Sequence, residues 1–307
     1  MHFTGSLSLL RVWKALAFSC WLWYNGLEIR EVFVMGYKIV ASDLDKTLLG
    51  PDKTVSKENW AAIEAMHERG VHFVPASGRA YEEMPRELLD SPLIRYYITS
   101  DGTTVYDKHT GITHELPMSR ELAHHVLRKV FSYDVCTMVH ADTRSYVDEK
   151  THSEAAYASY NMSRSWIDFS LTMEVVVKDL ERFAYELPAV QAVIPFFKNM
   201  EDLKDCMAYF QQDPRVLVAQ SAEYNLEIFD ASAGKGNALM LLARLLNIDP
   251  ADTIAVGDST NDYTMVKAAG LGLAVENAVP ELKAVADTVI CDYRRHSAKY
   301  ILEHYMD

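Results

Sequence analysis

Two aspartates one residue apart, Asp43 and Asp45, close the apolar run Ile39-Val40-Ala41, and Thr47 follows two residues later. Carboxylates this close repel one another, so a site that keeps both holds a cation, a shared proton, or both. Three further polar clusters end an apolar run or open a helix: Ser77-Gly78-Arg79, Lys235 within Gly234-Lys235-Gly236, and Asp258 with Asn261-Asp262. Asp43 and Asp258 offer hard oxygens for magnesium, Lys235 adds a cation, and Ser77 adds a hydroxyl for a phosphate oxygen. Such a set supports magnesium-assisted phosphoryl chemistry, in which one aspartate attacks phosphorus and the other moves a proton. Each cluster alone has a duller reading: a chance D-x-D-x-T, a helix cap, or a solvated lysine. Their combination outweighs those readings.

The elements that must position these residues read as an α/β fold with a doubly wound, mainly parallel sheet. Ile39–Leu49 is a buried strand running into a polar turn, as in a sheet covered on both faces. Ser56 caps a helix that ends at Gly70, and Val71–Ala76 is a second strand parallel to the first through a right-handed crossover. A helix expected to begin near Ala80 would aim its N–H groups and positive end at the crevice. Tyr96–Thr99 is a third strand, followed by a hairpin built from 103–107 and 112–116. Ligands of open α/β sheets lie beyond the carboxyl ends of the strands, where all four clusters fall.

From Pro117 the strict alternation of strand and helix stops, which marks an inserted α+β module over 117–220. The parallel domain then comprises 35–116 and 221–307, with Asn225–Phe229 as the strand on which it resumes. Residues 1–34 read as an N-terminal extension ahead of a natural start at Met35, outside the folded core. The apolar run Ala15–Tyr24 is too short to span a bilayer, and the alternative is an interfacial amphipathic helix.

Lys and Arg total 30 against 43 Asp and Glu, giving a net charge of −13, so the basic stripe expected for nucleic acid or an anionic membrane is missing. Four scattered cysteines make neither a zinc pattern nor a disulfide framework and fit a reducing, cytoplasmic compartment.

In order and separation, Asp43-Leu44-Asp45-Lys46-Thr47-Leu48, Ser77-Gly78-Arg79, Lys235 and Gly257-Asp258-Ser259-Thr260-Asn261-Asp262 resemble the signatures of the haloacid dehalogenase superfamily. The likeness is to its Cof-like branch of hydrolases with a large α/β cap, and it covers about 35–307. It implies that Asp43 is the nucleophile, esterified in passing, and that Asp45 is the acid and base. Magnesium would be held by the carboxylates of Asp43 and Asp258 and the backbone carbonyl of Asp45, with Asp262 in support. Thr47 would orient the first loop, Ser77 with Gly78 and Lys235 would hold phosphoryl oxygens, and Asn261 would reach the phosphate. The expected activity is phosphatase action on small phosphorylated metabolites, sugar phosphates first and phosphorylated cofactors second. The expected state is a monomer or weak homodimer. A phosphomutase or phosphotransferase using the same intermediate, and a non-catalytic sensor of a phosphometabolite, are the alternatives.

The chain departs from the branch at Ser100-Asp101-Gly102, where Asn-Gly is usual, and at Cys291-Asp292-Tyr293. Both departures put substrate contacts in question. Within the inserted module, Tyr146, Tyr157, Arg164, Trp166 and Phe196 are candidates for selectivity, against the plainer reading that they pack the module's own core or lie on a solvated face.

Overall fold

Every side chain of the first strand, Ile39–Ser42, is buried, which requires cover on both faces of its sheet. The computed structural model describes residues 36–306, so the N-terminal extension expected over 1–34 lies outside the described residues. In chain order the strands are β1 (Ile39–Ser42), β2 (His72–Pro75), β3 (Tyr96–Thr99), β4 (Thr104–Asp107) and β5 (Ile112–Glu115). They continue with β6 (Val135–Ala141), β7 (Arg144–Asp148), β8 (Val175–Val177), β9 (Ala192–Phe197), β10 (Val216–Ala219) and β11 (Glu227–Asp230). The last three are β12 (Thr253–Gly257), β13 (Leu271–Ala274) and β14 (Thr288–Val289).

The central sheet has the order β14-β13-β12-β1-β2 and is parallel throughout. Val40, Phe73, Ile254 and Val256 share one core with Ala62, Ile63 and Met66 of helix Lys57–Glu68 and Ala298 and Ile301 of helix Ser297–Tyr305. Ile39, Ala41, Val74 and Ala255 pack in another with Ala238, Leu239 and Leu242 of helix Lys235–Leu245. Alternate residues of each strand feed opposite layers, the period-two rule that makes a doubly wound sheet. A parallel bridge between Ala76 and Ile98 carries the sheet on to β3, which turns into the antiparallel set β3-β4-β5.

A second, separate sheet forms the cap, in the order β10-β11-β9-β6-β7-β8, antiparallel except where β8 joins β7. One face packs on helices Arg120–Val130, Leu180–Glu186 and Met200–Phe210. The other carries Cys136, Met138, Ile194 and Phe196 against Tyr157, Tyr160 and Ile167.

Two expectations are corrected. The strand at Asn225–Phe229 does not resume the parallel sheet. As β11 it pairs antiparallel with β10 and β9, so the cap sheet extends past the expected boundary at 220. Its apolar pattern suits either sheet, and only the partner strand decides. No long helix starts at Ala80 either. A single tight turn, Tyr81–Glu83, is followed by Pro85 and a five-residue helix, Arg86–Asp90. Proline disfavours helical backbone at the residue before it, so Met84 takes an extended conformation and the run breaks there.

Candidate active site

The chain leaves β1 in a wide turn over Leu44–Leu48, closed by the Leu49 N–H donating to the Leu44 carbonyl at 2.9 Å. Two distant groups pin this loop from outside: Asn277 Nδ2 donates to the Lys46 carbonyl at 2.9 Å, and Ser297 Oγ to the Thr47 carbonyl at 2.8 Å. Asp43 is thereby held at the carboxyl end of β1, with its own N–H bonded to the Val256 carbonyl on β12.

Lys235 opens helix Lys235–Leu245 and is completely buried. Its Nζ donates to Asp43 Oδ1 at 2.8 Å and to Asp262 Oδ1 at 2.6 Å. The other oxygen of Asp262 accepts the N–H groups of Asp258 at 3.0 Å and Ser259 at 3.1 Å, which shapes the turn after β12. Asp43, Asp258 and Asp262 each place a carboxylate oxygen within 4.8 Å of the others. Three distant segments thus meet at one point.

One ammonium does not neutralise three carboxylates. Burial, with Asp262 and Asp258 adding to it, raises the Asp43 carboxyl well above the usual range, and Lys235 only partly opposes this. Burial and Asp262 push Asp258 up to about 7. Such carboxylates favour a proton or a cation. The donors are hard oxygens from three chain segments, and Asp258 receives no side-chain hydrogen bond among the described residues. This donor set fits a magnesium ion.

Asp45 sits differently. Its carboxylate takes Arg79 Nη2 at 2.9 Å and Lys53 Nζ at 2.6 Å. Burial works to raise it, but Arg79 and then Lys53 outweigh burial and hold it below the ordinary value. Neither cation was assigned a role from sequence. Arg79 lay inside a quoted motif, whereas Lys53 carries no signal beyond its place after the turn. From the cap, the ring of Phe169 lies 4.8 Å from the Arg79 guanidinium carbon.

The remaining expected residues are placed as follows. Ser77 is buried, and its Oγ accepts the Arg79 N–H at 3.2 Å. Thr47 is fully buried, and its Oγ1 has no hydrogen-bond partner among the described residues. Asn261 donates from Nδ2 to Asp101 Oδ1 at 3.0 Å and accepts Ser259 Oγ at 2.6 Å. All five cap candidates follow the plainer reading. Tyr157 and Phe196 are core, Trp166 packs edge-on against Phe196, Tyr146 packs against Phe183, and Arg164 pairs with Glu154 and Asp168 in solvent.

The chain is similar to known proteins of one family. A family profile described as haloacid dehalogenase-like hydrolase matches residues 40–301. Phosphatase YwpJ of Bacillus subtilis is 28% identical over 294 residues, covering 87% of this chain and 99% of the relative. The 5-amino-6-(5-phospho-D-ribitylamino)uracil phosphatase YwtE of the same organism is 28% identical over 284 residues, covering 87% of this chain and 97% of the relative. Among solved structures, a haloacid dehalogenase-like hydrolase from B. subtilis aligns with a TM-score of 0.75 at 26% identity, over 87% of this chain and 99% of that one. With the family's profile matched over residues 40–301 and relatives that are named phosphatases, the chain belongs to the haloacid dehalogenase-like hydrolases, in their Cof-like branch of phosphoric monoester hydrolases.

Proposed function

We propose that this chain is a magnesium-dependent phosphatase that hydrolyses small phosphorylated metabolites through an aspartyl-phosphate on Asp43. The observation that carries the reading is the convergence of Asp43, Asp258 and Asp262 on the buried Lys235 ammonium. Asp43, Asp258 and the Asp45 carbonyl, with Asp262 in support, would hold magnesium, which would supply the positive charge that a dianionic phosphate ester needs in so acidic a cleft.

A carboxylate oxygen of Asp43 attacks phosphorus in line, and the bond to the leaving oxygen breaks as the new one forms. Asp45 gives that oxygen a proton, then takes one from the water that attacks the acyl phosphate. Inorganic phosphate leaves and Asp43 is regenerated. Lys235 and Ser77 hold the phosphoryl oxygens, and Asn261 offers an amide N–H to the phosphate or its water. Charge stabilisation of this kind is the largest contribution available for so slow a reaction. The ion pairs on Asp45 favour its base form, so protonating the leaving group requires it to turn from Arg79 and Lys53.

Substrates are assigned as sugar phosphates first and phosphorylated cofactors such as flavin or pyridoxal phosphates second. The name of the ribitylamino-uracil phosphatase, a relative whose substrate carries a phosphorylated ribityl chain, supports a small phosphorylated metabolite as substrate. Cys136, Cys206 and Cys291 are free and buried, which supports a reducing, cytoplasmic setting. Among the described residues no helix is long and apolar enough to cross a membrane. The test is a panel of phosphorylated metabolites with magnesium and with chelator. Asp43→Asn is expected to lower phosphate release by at least about a thousandfold, and release surviving that substitution rejects the nucleophile.

A further inference from the structure

We infer that Asp101 and Glu227 hold a single proton between them, and that this pair, joining the parallel domain to the cap, fixes the amide of Asn261. The inference deepens the phosphatase reading, because Asn261 is assigned a phosphate contact only under it.

Asp101 stands in the loop Ser100–Gly102 after β3, in left-handed backbone with φ of 54°. It is fully buried. The loop is seated by its neighbours: a side chain on Gly102 would collide with the backbone of Gly234 and Lys235. A Cβ on Gly78 would lie 3.1 Å from both Asp101 carboxylate oxygens, so the glycine of the second motif makes room for this carboxylate. Asp101 Oδ1 accepts Asn261 Nδ2, and Ser259 Oγ donates to Asn261 Oδ1, so the amide is gripped at both ends and keeps one N–H in hand.

Glu227 begins β11 and is 2% exposed. Its Oε1 accepts Ser221 Oγ at 2.5 Å. One oxygen on each acid, Asp101 Oδ2 and Glu227 Oε2, is buried and finds no other donor among the described residues. The two carboxyl groups are in hydrogen-bonding contact with each other. Ionised carboxylates only accept, so that contact exists only if one of them carries a proton. Burial, followed by the charge of Asp101, raises Glu227 well above its ordinary value. Burial also raises Asp101, but Lys235 and the Asn261 amide oppose it, with Asp262 adding to the rise. The proton therefore resides on Glu227. His140 of β6 bonds Ser100 Oγ at 3.1 Å, and burial holds its imidazole down to about 4, so it brings no charge to the pair.

The test uses the full chain and compares native protein with Asp101→Asn, Glu227→Gln and Glu227→Ala. An amide at either position supplies the bridging hydrogen permanently, and asparagine accepts left-handed backbone. A buried carboxyl with a raised folded-state pKa stabilises most at or below its unfolded value and loses that contribution as pH rises toward the folded one. The melting temperature of Glu227→Gln is therefore expected to gain on the native chain as pH rises above the ordinary glutamate value of about 4.3. With p-nitrophenyl phosphate and magnesium, Glu227→Ala is expected to raise KM, and the inhibition constant of inorganic phosphate, about tenfold through a loosened Asn261. Glu227→Gln should recover most of that loss.

A melting difference between Glu227→Gln and native that stays constant with pH overturns the shared proton, as does a Gln variant as impaired as Ala. Unchanged KM and phosphate inhibition in Glu227→Ala overturn the hold on Asn261. A native chain that hydrolyses no phosphate ester defeats the phosphatase reading instead, and the melting series still decides whether the proton is shared.

Discussion

Lys235 and Asp45 show how differently two charged residues of one site are held. Lys235 has no exposed surface and bridges two carboxylates, and removing one partner from so buried a set typically costs about 3–5 kcal/mol. Its contribution is inseparable from the fold. Asp45 keeps more than a third of its side chain exposed, at 38%, and is paired with two cations. Arg79 is the larger of the two charges holding it ionised. Replacing Arg79 by Gln therefore raises the Asp45 pKa toward the ordinary carboxylate value. Because the second half-reaction needs the ionised form, the acid limb of the pH–rate profile should move to higher pH, which a profile of kcat measures directly. An unmoved acid limb would separate Asp45 from that titration.

At the scale of elements, the short turn Tyr81–Glu83 does what no long helix at that place could do. It brings Glu83 under the cap, where its Oε2 accepts the Ala80 N–H at 2.8 Å. The cap replies with Glu174, which follows helix Arg164–Met173 and accepts Tyr157 OH at 2.9 Å. Burial lifts Glu83 to about 7, and burial plus the nearby Glu83 lifts Glu174 to about 8. Both folded values lie above those of an exposed glutamate, so the docked cap binds more protons than the unfolded chain. The stabilisation is complete at or below about pH 4.5 and drains away as pH rises through 7 to 8. Glu174→Gln is expected to melt higher than native at pH 8, with the gap closing toward pH 5, in calorimetry across that range. Hydrogen exchange over 81–83 and 164–174 should slow in step.

Across the whole molecule, cap and core meet through a few polar contacts. Arg144 pairs with Glu82 at 3.1 Å, the Glu82 N–H donates to the Thr143 carbonyl at 3.3 Å, and Thr260 Oγ1 donates to the Gln220 carbonyl at 2.9 Å. These sit beside Phe169 on Arg79 and the Asp101–Glu227 pair. Surface ion pairs contribute little, so these contacts hold the cap weakly. The parallel core was legible in the sequence because β1, β2 and β12 are largely apolar runs that each end in a motif, and the order of those motifs marked which carboxylates could converge. The cap was legible only as a break in alternation. Strand β11 was misplaced because pairing is a long-range choice that a four-residue strand with two apolar side chains does not encode. Lys53, Phe169 and Glu227 escaped notice since their importance comes from what the folded chain sets opposite them. Asp101 drew attention as a departure from the usual Asn-Gly, and its buried contacts with Asn261 and Glu227 explain why an acid is tolerated there.

The central claim is that the Asp43 carboxylate becomes phosphorylated. Rapid acid quenching during turnover of a phosphate ester labelled in its phosphoryl group, followed by peptide mapping, reads this directly. The account expects an acid-stable, hydroxylamine-labile label on the peptide containing Asp43, absent from Asp43→Asn. Label on another residue, or steady hydrolysis by Asp43→Asn with no labelled protein, would contradict it.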